Sequence, residues 1–264
     1  MLPKIMKTIL GMPHQVITNY FFDPWDMLKR WRGLFHFIRN AVIYTQRNTG
    51  QEFSMSFRNL CYRSYDRYAL AGSVPVHYFL QDIWAARYVR DCHVTHIVDV
   101  GSRLDGYIAH LLTFCRVTYV DIRPLDILVE NLEFIGGNIT SLPFDAASVP
   151  WLSSLHVIEH IGLGRYGDPV DPEGHRKAAK EMQRVLAPGG TLILSTVLGE
   201  ERLCFDAHRI FDFKTVHSMF EGLALQTFSL IDDMGHKVIE NATSGAAKDC
   251  KYGCGIFVFR KPVS

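Results

Sequence analysis

HIVDVGSRLDG, residues His96 to Gly106, decides how this chain folds. An apolar run closes on the acid Asp99; Val100 and Gly101 follow, and helical spacing begins after them. A second strand-like run, Val117 to Val120, closes on Asp121, twenty-two residues beyond Asp99. A strand, a tight glycine turn, a helix and a second strand ending in a carboxylate form the half-unit that holds a nucleoside cofactor. In such a unit the turn brings backbone N–H groups close to the ligand, and the second acid accepts hydrogen bonds from the ribose hydroxyls.

Further along come GNITSLPF (Gly137 to Phe144), WLSSLHVIEH (Trp151 to His160), a helical stretch, then Leu186-Ala187-Pro188-Gly189-Gly190 and the strand Thr191 to Thr196. In this order the motifs resemble the class I S-adenosylmethionine-dependent methyltransferases over roughly residues 75 to 260. GLGRYGD (Gly162 to Asp168), DAHRIF (Asp206 to Phe211) and the closing GCGIFVFRKP look like a little-characterised branch of that superfamily. The resemblance implies S-adenosyl-L-methionine as cofactor and a transferase activity. It implies cofactor contacts from Asp99, Gly101, Arg103, Asp105, Asp121, Ile122, Asn138, Ile139 and His156. The sequence departs from the family pattern at two places. Arg103 and Asp105 occupy the next two glycine positions of the first motif, with Asp105 placed to meet the methionine ammonium. Asn138 stands where the family has Asp, and its amide can still meet an adenine edge because it both donates and accepts.

The fold expected is α/β: a doubly wound, Rossmann-like, mostly parallel seven-stranded sheet with a terminal antiparallel hairpin, plus an N-terminal helical extension. Gly72-Ser73-Val74-Pro75 marks the boundary, giving a helical, basic region over 1–72 and a methyltransferase-like domain over 73–264. Within the domain, helices are predicted over His77–Arg90, Tyr107–Phe114, Leu125–Phe134, Pro172–Leu186 and Phe213–Phe220. Strands are predicted at His96–Val100, Arg116–Val120, Gly136–Asn138, Leu152–His156, Thr191–Thr196, Leu225–Ile231 and Gly255–Arg260. Residues 232–252 read as a loop.

The 264 residues are nearly half hydrophobic and carry a net charge of +1, enough apolar content for one large core and without the global signature of nucleic-acid binding. Charge is uneven: residues 1–70 hold ten Lys and Arg against Asp23, Asp26, Glu52 and Asp66. From Trp25 to Arg39, Met27, Leu28, Trp31, Leu34, Phe35 and Ile38 share a helical face, expected to pack on protein. A weak membrane-surface association through 25–39 and a homo-oligomer are the alternative associations this helix allows. No apolar window reaches the length of a membrane span, and the scattered cysteines suit a reducing cytoplasm. No metal is assigned. Asp168, Asp171, His175 and His208 are alternative ligands for a divalent metal, but turn chemistry is the preferred reading of their Pro-rich loop.

The resemblance implies methyl transfer, and a hydroxyl of a sugar, glycan or other small molecule is the expected acceptor, favoured by the wider resemblance and by the missing motifs of base-modifying methyltransferases. A hydroxyl acceptor benefits from a general base titrating near neutrality. His160, directly after the fourth strand, and His208, in the segment after the fifth, are the two candidates, and the choice between them stays open. Arg165 and Arg209 are expected to pair with Asp168 or Asp206, and the aromatic run Tyr62 to Tyr78 to belong to the core, with stacking faces for a sugar ring as the alternative. The alternative function is a catalytically degenerate cofactor-binding or partner protein with the same fold.

Overall fold

The computed structural model describes residues 24–48, 53, 55, 56, 58, 60, 61 and 74–263, with side chains from residue 31 onward. The chain divides into two compact units, Met1–Ser73 and Val74–Ser264. In the first, α1 (Pro24–Arg47) is a single helix. Trp31, Phe35, Ile38 and Val42 recur at helical spacing along it and are exposed within this unit. The side chains of Trp25, Met27 and Leu28, expected on the same face, lie outside the described residues, as does most of the Tyr62–Tyr78 run. Among the described residues no helix is long and apolar enough to cross a membrane.

The second unit begins with α2 (Val76–Asp91) and β1 (His96–Val100), followed by β2 (Arg116–Asp121), β3 (Leu132–Gly136) and β4 (Val149–Leu155). Then come α4 (Gly174–Val185) and β5 (Leu186–Leu198), a two-stranded ribbon of β6 (Arg202–Cys204) and β7 (His208–Ile210), α5 (Phe213–Met219), β8 (Ala224–Ile231), α6 (Ser244–Lys248) and β9 (Gly253–Arg260). One short helix, α3 (Ala109–Leu111), follows a π-helical turn at Leu104–Ile108. The sheet order is β3-β2-β1-β4-β5-β9-β8. Strands β1 to β5 are parallel, and β9 runs antiparallel to both β5 and β8. This is the doubly wound sheet with a terminal antiparallel pair that the motif order implied.

Burial on both sides explains the apolar strands. In β5, Leu192 and Leu194 point to one face with Ala178, Ala179, Met182 and Val216 of the covering helices and with Phe220 just beyond α5. Ile193, between them, points to the other face, with Ala85, Ala86, Val89, Tyr107 and Leu111. The two-residue period of a strand sends successive side chains into the two cores.

Four elements differ from the sequence reading. Residues 232–252, read as a loop, contain α6 (Ser244–Lys248), started by Thr243, whose hydroxyl accepts from the Ala246 N–H. The helix expected over Leu125–Phe134 is missing, and β3 begins at Leu132 instead of Gly136. Only ten residues, 122–131, separate β2 from β3, fewer than the dozen or so that a helical crossover between parallel strands needs. The chain crosses in irregular backbone, turns at Asn131 with φ +66°, and leaves Ile127 and Leu128 exposed. After β1, the expected helix Tyr107–Phe114 shrinks to a π-turn and one short α-turn, a distortion that recurs at functional sites. Finally, the segment after β5 folds back as the β6–β7 ribbon, so His208 stands on a strand paired with Cys204 and not on a free loop.

Gly106 shows why the first turn needs a glycine one step late. A Cβ on Gly106 would collide with the carboxylate of Asp82, buried on α2. Gly106→Ala should therefore cost about 1–3 kcal/mol in urea unfolding, the range for overpacking a filled interior. In an Asp82→Ala background the same substitution should cost clearly less, a coupling that a double-mutant cycle measures. Equal costs in both backgrounds would exclude this contact as the reason for the glycine.

Candidate functional site

The carboxyl ends of β1, β2 and β4 open into a cavity of about 470 Å³ lined by Gly101, Asp121, Asn138, Leu155, His156 and His160 among others. Its floor is the turn after β1. Gly101 has φ +75°, a backbone conformation that penalises any side chain, and a Cβ there would press on Val157 at 3.1 Å. Asp99 is fully buried and does not line the cavity. Its carboxylate accepts hydrogen bonds from the Ser102 backbone N–H (3.0 Å), the Ser102 hydroxyl (2.7 Å) and the Ser153 hydroxyl (2.6 Å). Burial pushes its pKa up to about 7 in spite of these bonds. Asp99 thus shapes the turn and is not itself exposed to the cavity.

Arg103 and Asp105 both line the cavity, held to each other. Arg103 donates from Nε (3.0 Å) and Nη2 (2.7 Å) to the two oxygens of Asp105, and its guanidinium lies 4.7 Å from the centre of the Tyr78 ring. The Asp105 side chain is 71% exposed, so its carboxylate is engaged by Arg103 at the rim and does not project alone into the cavity. Asp121 is 8% exposed, with its carboxylate occupied by Arg123 and Tyr119. Burial would raise its pKa, but the Arg123 bonds outweigh burial and hold it below the ordinary carboxylate range. Asn138 accepts at Oδ1 from the Thr140 N–H and hydroxyl, both at 2.9 Å, which assigns Oδ1 to the turn and leaves the amide NH₂ as its remaining group. Ile139 is buried in the wall, and Ile122 is half exposed at the rim.

A second cavity of about 550 Å³ adjoins the first, sharing Tyr78, His156 and His160 with it. His77, Arg165, His208 and Tyr252 complete its ring-rich wall. His77 stacks on Tyr252 with 5.6 Å between ring centres, and His208 lies 5.5 Å from the same ring. Burial lowers the pKa of His77 to about 4, with the charge of His156 adding to the effect, and burial also lowers that of His208. Both imidazoles are therefore neutral donors or acceptors near pH 7.

Where the two cavities meet, the chain leaves β4 in a strained conformation: His156 has φ +54°. Its Nδ1 meets Glu159 at 2.7 Å, and the other Glu159 oxygen accepts from the Thr196 hydroxyl at 3.0 Å. Burial opposes the charge on His156, but the neighbouring Cys254 sulfur and the Glu159 carboxylate outweigh it and lift its pKa to about 10. For Glu159 too, burial is overcome by His156, and its pKa falls. The two form a buried ion pair. His160 has Nδ1 2.7 Å from the Ala207 carbonyl. A carbonyl only accepts, so Nδ1 carries the proton and a neutral His160 keeps its lone pair on Nε2. The rings of His160 and His208 are 6.3 Å apart, so the structure brings both proposed bases to one cavity.

The remaining sequence candidates are placed otherwise. Arg165 donates to the Ala207 carbonyl (2.9 Å) and Arg209 to the Ile161 carbonyl (2.7 Å), so the expected ion pairs with Asp168 or Asp206 are replaced by bonds to backbone oxygens. These carbonyls sit where the β4 loop meets the β6–β7 ribbon, a contact that sequence distance conceals. Asp168 accepts from the Gly162 N–H (2.7 Å), Asp171 pairs with Lys177 (2.6 Å), and among the described residues no three potential ligands gather around a metal position. Sequence reasoning passed over His77, Arg123, Tyr166 and Tyr252. Only Arg123 carried a local signal, a cation two residues beyond the strand-ending acid.

The sequence family described as "Caenorhabditis protein of unknown function, DUF268" matches residues 144–261. No curated protein matches the chain. Among solved structures it is similar to the N-methyltransferase NodS from Bradyrhizobium japonicum WM9 in complex with S-adenosyl-l-homocysteine, at 16% identity over 69% of this chain and 86% of that one, TM-score 0.48. It is similar to 1,6-didemethyltoxoflavin-N1-methyltransferase of Burkholderia thailandensis (14% identity, 69% and 82% covered, TM-score 0.45). It is also similar to the [4+2]-cyclase SpnF (15% identity, 68% and 82% covered, TM-score 0.48). Strand order and register, as described above, carry the fold assignment.

The His156–Glu159 pair gives a signed expectation. A base whose folded pKa is raised stabilises the fold fully below its unfolded value, near 6.5, and that stability is lost as pH rises through about 10. Unfolding free energy should therefore decline between pH 7 and 10. Glu159→Gln, which strands the imidazolium, should lower stability by about 3–5 kcal/mol at pH 7 and flatten the decline. Denaturant titrations across this window check both, and an unaltered slope in the variant would refute the pairing.

Proposed function

We propose that this protein is an S-adenosylmethionine-dependent methyltransferase acting on a hydroxyl oxygen of a sugar, glycan or other small molecule. The observation that carries the reading is His160: a histidine whose tautomer is set by the Ala207 carbonyl stands where the two cavities join. The first cavity has the volume and the carboxyl-edge position expected of a small-molecule site. The glycine turn at Gly101, the Asn138 amide and the apolar wall of Ile139 and Leu155 fit an adenosyl group. When bound, the cofactor supplies an electrophilic methyl on its sulfonium.

The chain's own share is positioning and proton transfer. Asp121, Asn138 and Ile139 hold the nucleoside end, while His77, Tyr78 and Tyr252 present ring faces and edges to the acceptor in the second cavity. A sugar ring suits such a wall, since its C–H faces stack on aromatic rings and its hydroxyls meet neutral imidazoles. His160 Nε2 takes the acceptor's hydroxyl proton as oxygen becomes nucleophilic. His208, neutral and in the same wall, takes the role of orienting the acceptor. The fixed charge of His156, balanced by Glu159, anchors the loop that carries His160.

The alternative, a catalytically degenerate cofactor-binding or partner protein, is supported by the mutual engagement of Arg103 and Asp105 in the first motif. Calorimetry with S-adenosylhomocysteine distinguishes a cofactor binder from a protein that has lost the site. Asp121→Ala should weaken binding roughly ten- to a hundred-fold, the loss of a charge-assisted pair of hydrogen bonds. With a hydroxyl acceptor, His160→Ala should lower kcat by about 10²–10⁴ and leave cofactor affinity nearly intact. If His208→Ala shows that pattern and His160→Ala retains full turnover, the roles of the two histidines are reversed.

A further inference from the structure

Both oxygens of the Asp121 carboxylate are engaged by Arg123. A carboxylate offers about four lone-pair sites, two on each oxygen. Oδ1 accepts from the backbone N–H of Arg123 at 2.8 Å and from its Nε at 2.9 Å. Oδ2 accepts from Arg123 Nη2 at 2.6 Å and from the Tyr119 hydroxyl at 2.9 Å. Arg123 thus fills three of the four sites, and the fourth is shared, because the single Tyr119 proton is also within reach of the Ser102 carbonyl at 3.0 Å. A ribose arriving at this edge finds both oxygens covered by the Arg123 guanidinium.

The four donors differ in mobility. The Arg123 N–H belongs to the backbone, and Tyr119 is buried in β2. The guanidinium is the mobile member: the Arg123 side chain is 52% exposed and reaches Asp121 from the rim. If it withdraws, one site opens on each carboxylate oxygen, which is the requirement of two vicinal hydroxyls. A second holding point exists for the displaced cation, because the guanidinium already lies 4.8 Å from the centre of the Tyr166 ring on the loop after β4.

We propose that Arg123 is the residue that sets cofactor affinity, occupying the ribose position on Asp121 in the free protein and withdrawing from Asp121 when a vicinal diol binds. This rests on the cofactor reading above and extends it. The guanidinium is an internal competitor: free protein is binding-competent only in the fraction of molecules where Asp121 is uncovered, and the apparent affinity falls by that fraction. Arg103 plays no such part, since its partner Asp105 stands exposed at the rim.

Calorimetry on the full chain tests this with S-adenosylhomocysteine, adenosine and 2′,3′-dideoxyadenosine. Arg123→Ala should bind S-adenosylhomocysteine roughly ten-fold more tightly than the unaltered protein, the scale of one competing charge-assisted contact. Arg123→Gln, which keeps part of the stem, should show a gain of the same sign and serves if the alanine variant folds poorly. Adenosine should share the gain, and 2′,3′-dideoxyadenosine, lacking the diol, should not. An Asp121→Ala/Arg123→Ala double variant should lose it. Unchanged or weaker binding by both Arg123 variants, with S-adenosylhomocysteine still bound by the unaltered protein, overturns this proposal and leaves the cofactor reading standing. Binding by the Arg123 variants alone supports it, whereas binding by none of the proteins overturns both.

Discussion

The geometry of the site depends on one buried carboxylate. Asp99 closes β1 without facing the cavity, and its three hydrogen bonds tie the following turn to itself and to Ser153 on β4. Those bonds hold β1, the turn and β4 together at the edge where the sheet order reverses, which is where ligands bind in open α/β sheets. They also position Gly101 so that its backbone approaches the cavity without a side chain between. Burying an acid is costly unless its oxygens are satisfied, and the two serines supply that compensation.

A second constraint acts at the end of β4. The left-handed turn at His156 sends the chain across the top of the sheet. The Glu159 ion pair then fastens this turn from below through Thr196 of β5. One turn further on, His160 is held from the other side by Ala207, next to the β6–β7 ribbon. The position of the proposed base is therefore set jointly by β4, β5 and the ribbon. Strain and a buried ion pair at one place are characteristic of a site in which stability has yielded to positioning.

Much of the first cavity was legible from residues alone. Asp99, Gly101 and Asp121 stand at strand ends that periodicity and spacing locate, and Asn138 and Ile139 follow a recognisable motif. The roles were less legible than the positions. Asp99 stabilises the turn from inside, Asp105 is engaged by Arg103, and Asp121 is covered by Arg123. Most of these partners lie only two or three residues away, but which of them reaches the carboxylate depends on the folded geometry and not on spacing alone. The expected helix between β2 and β3 failed for a different reason: the apolar residues have helical spacing, but parallel pairing with β2 starts β3 four residues early and leaves too short a crossover.

Local sequence by itself determined the alternation of strands and helices, the parallel sheet with its antiparallel end, and the edge at which ligands would gather. These follow from backbone periodicity and from glycine's freedom, both properties of a few consecutive residues. Only the tertiary structure decided which side chains meet there. His77 from α2, His160 after β4, His208 from the ribbon and Tyr252 before β9 line one wall although up to 175 residues separate them in sequence. Their meeting follows from packing of four separate elements over one sheet edge, and no local pattern encodes such long-range contacts.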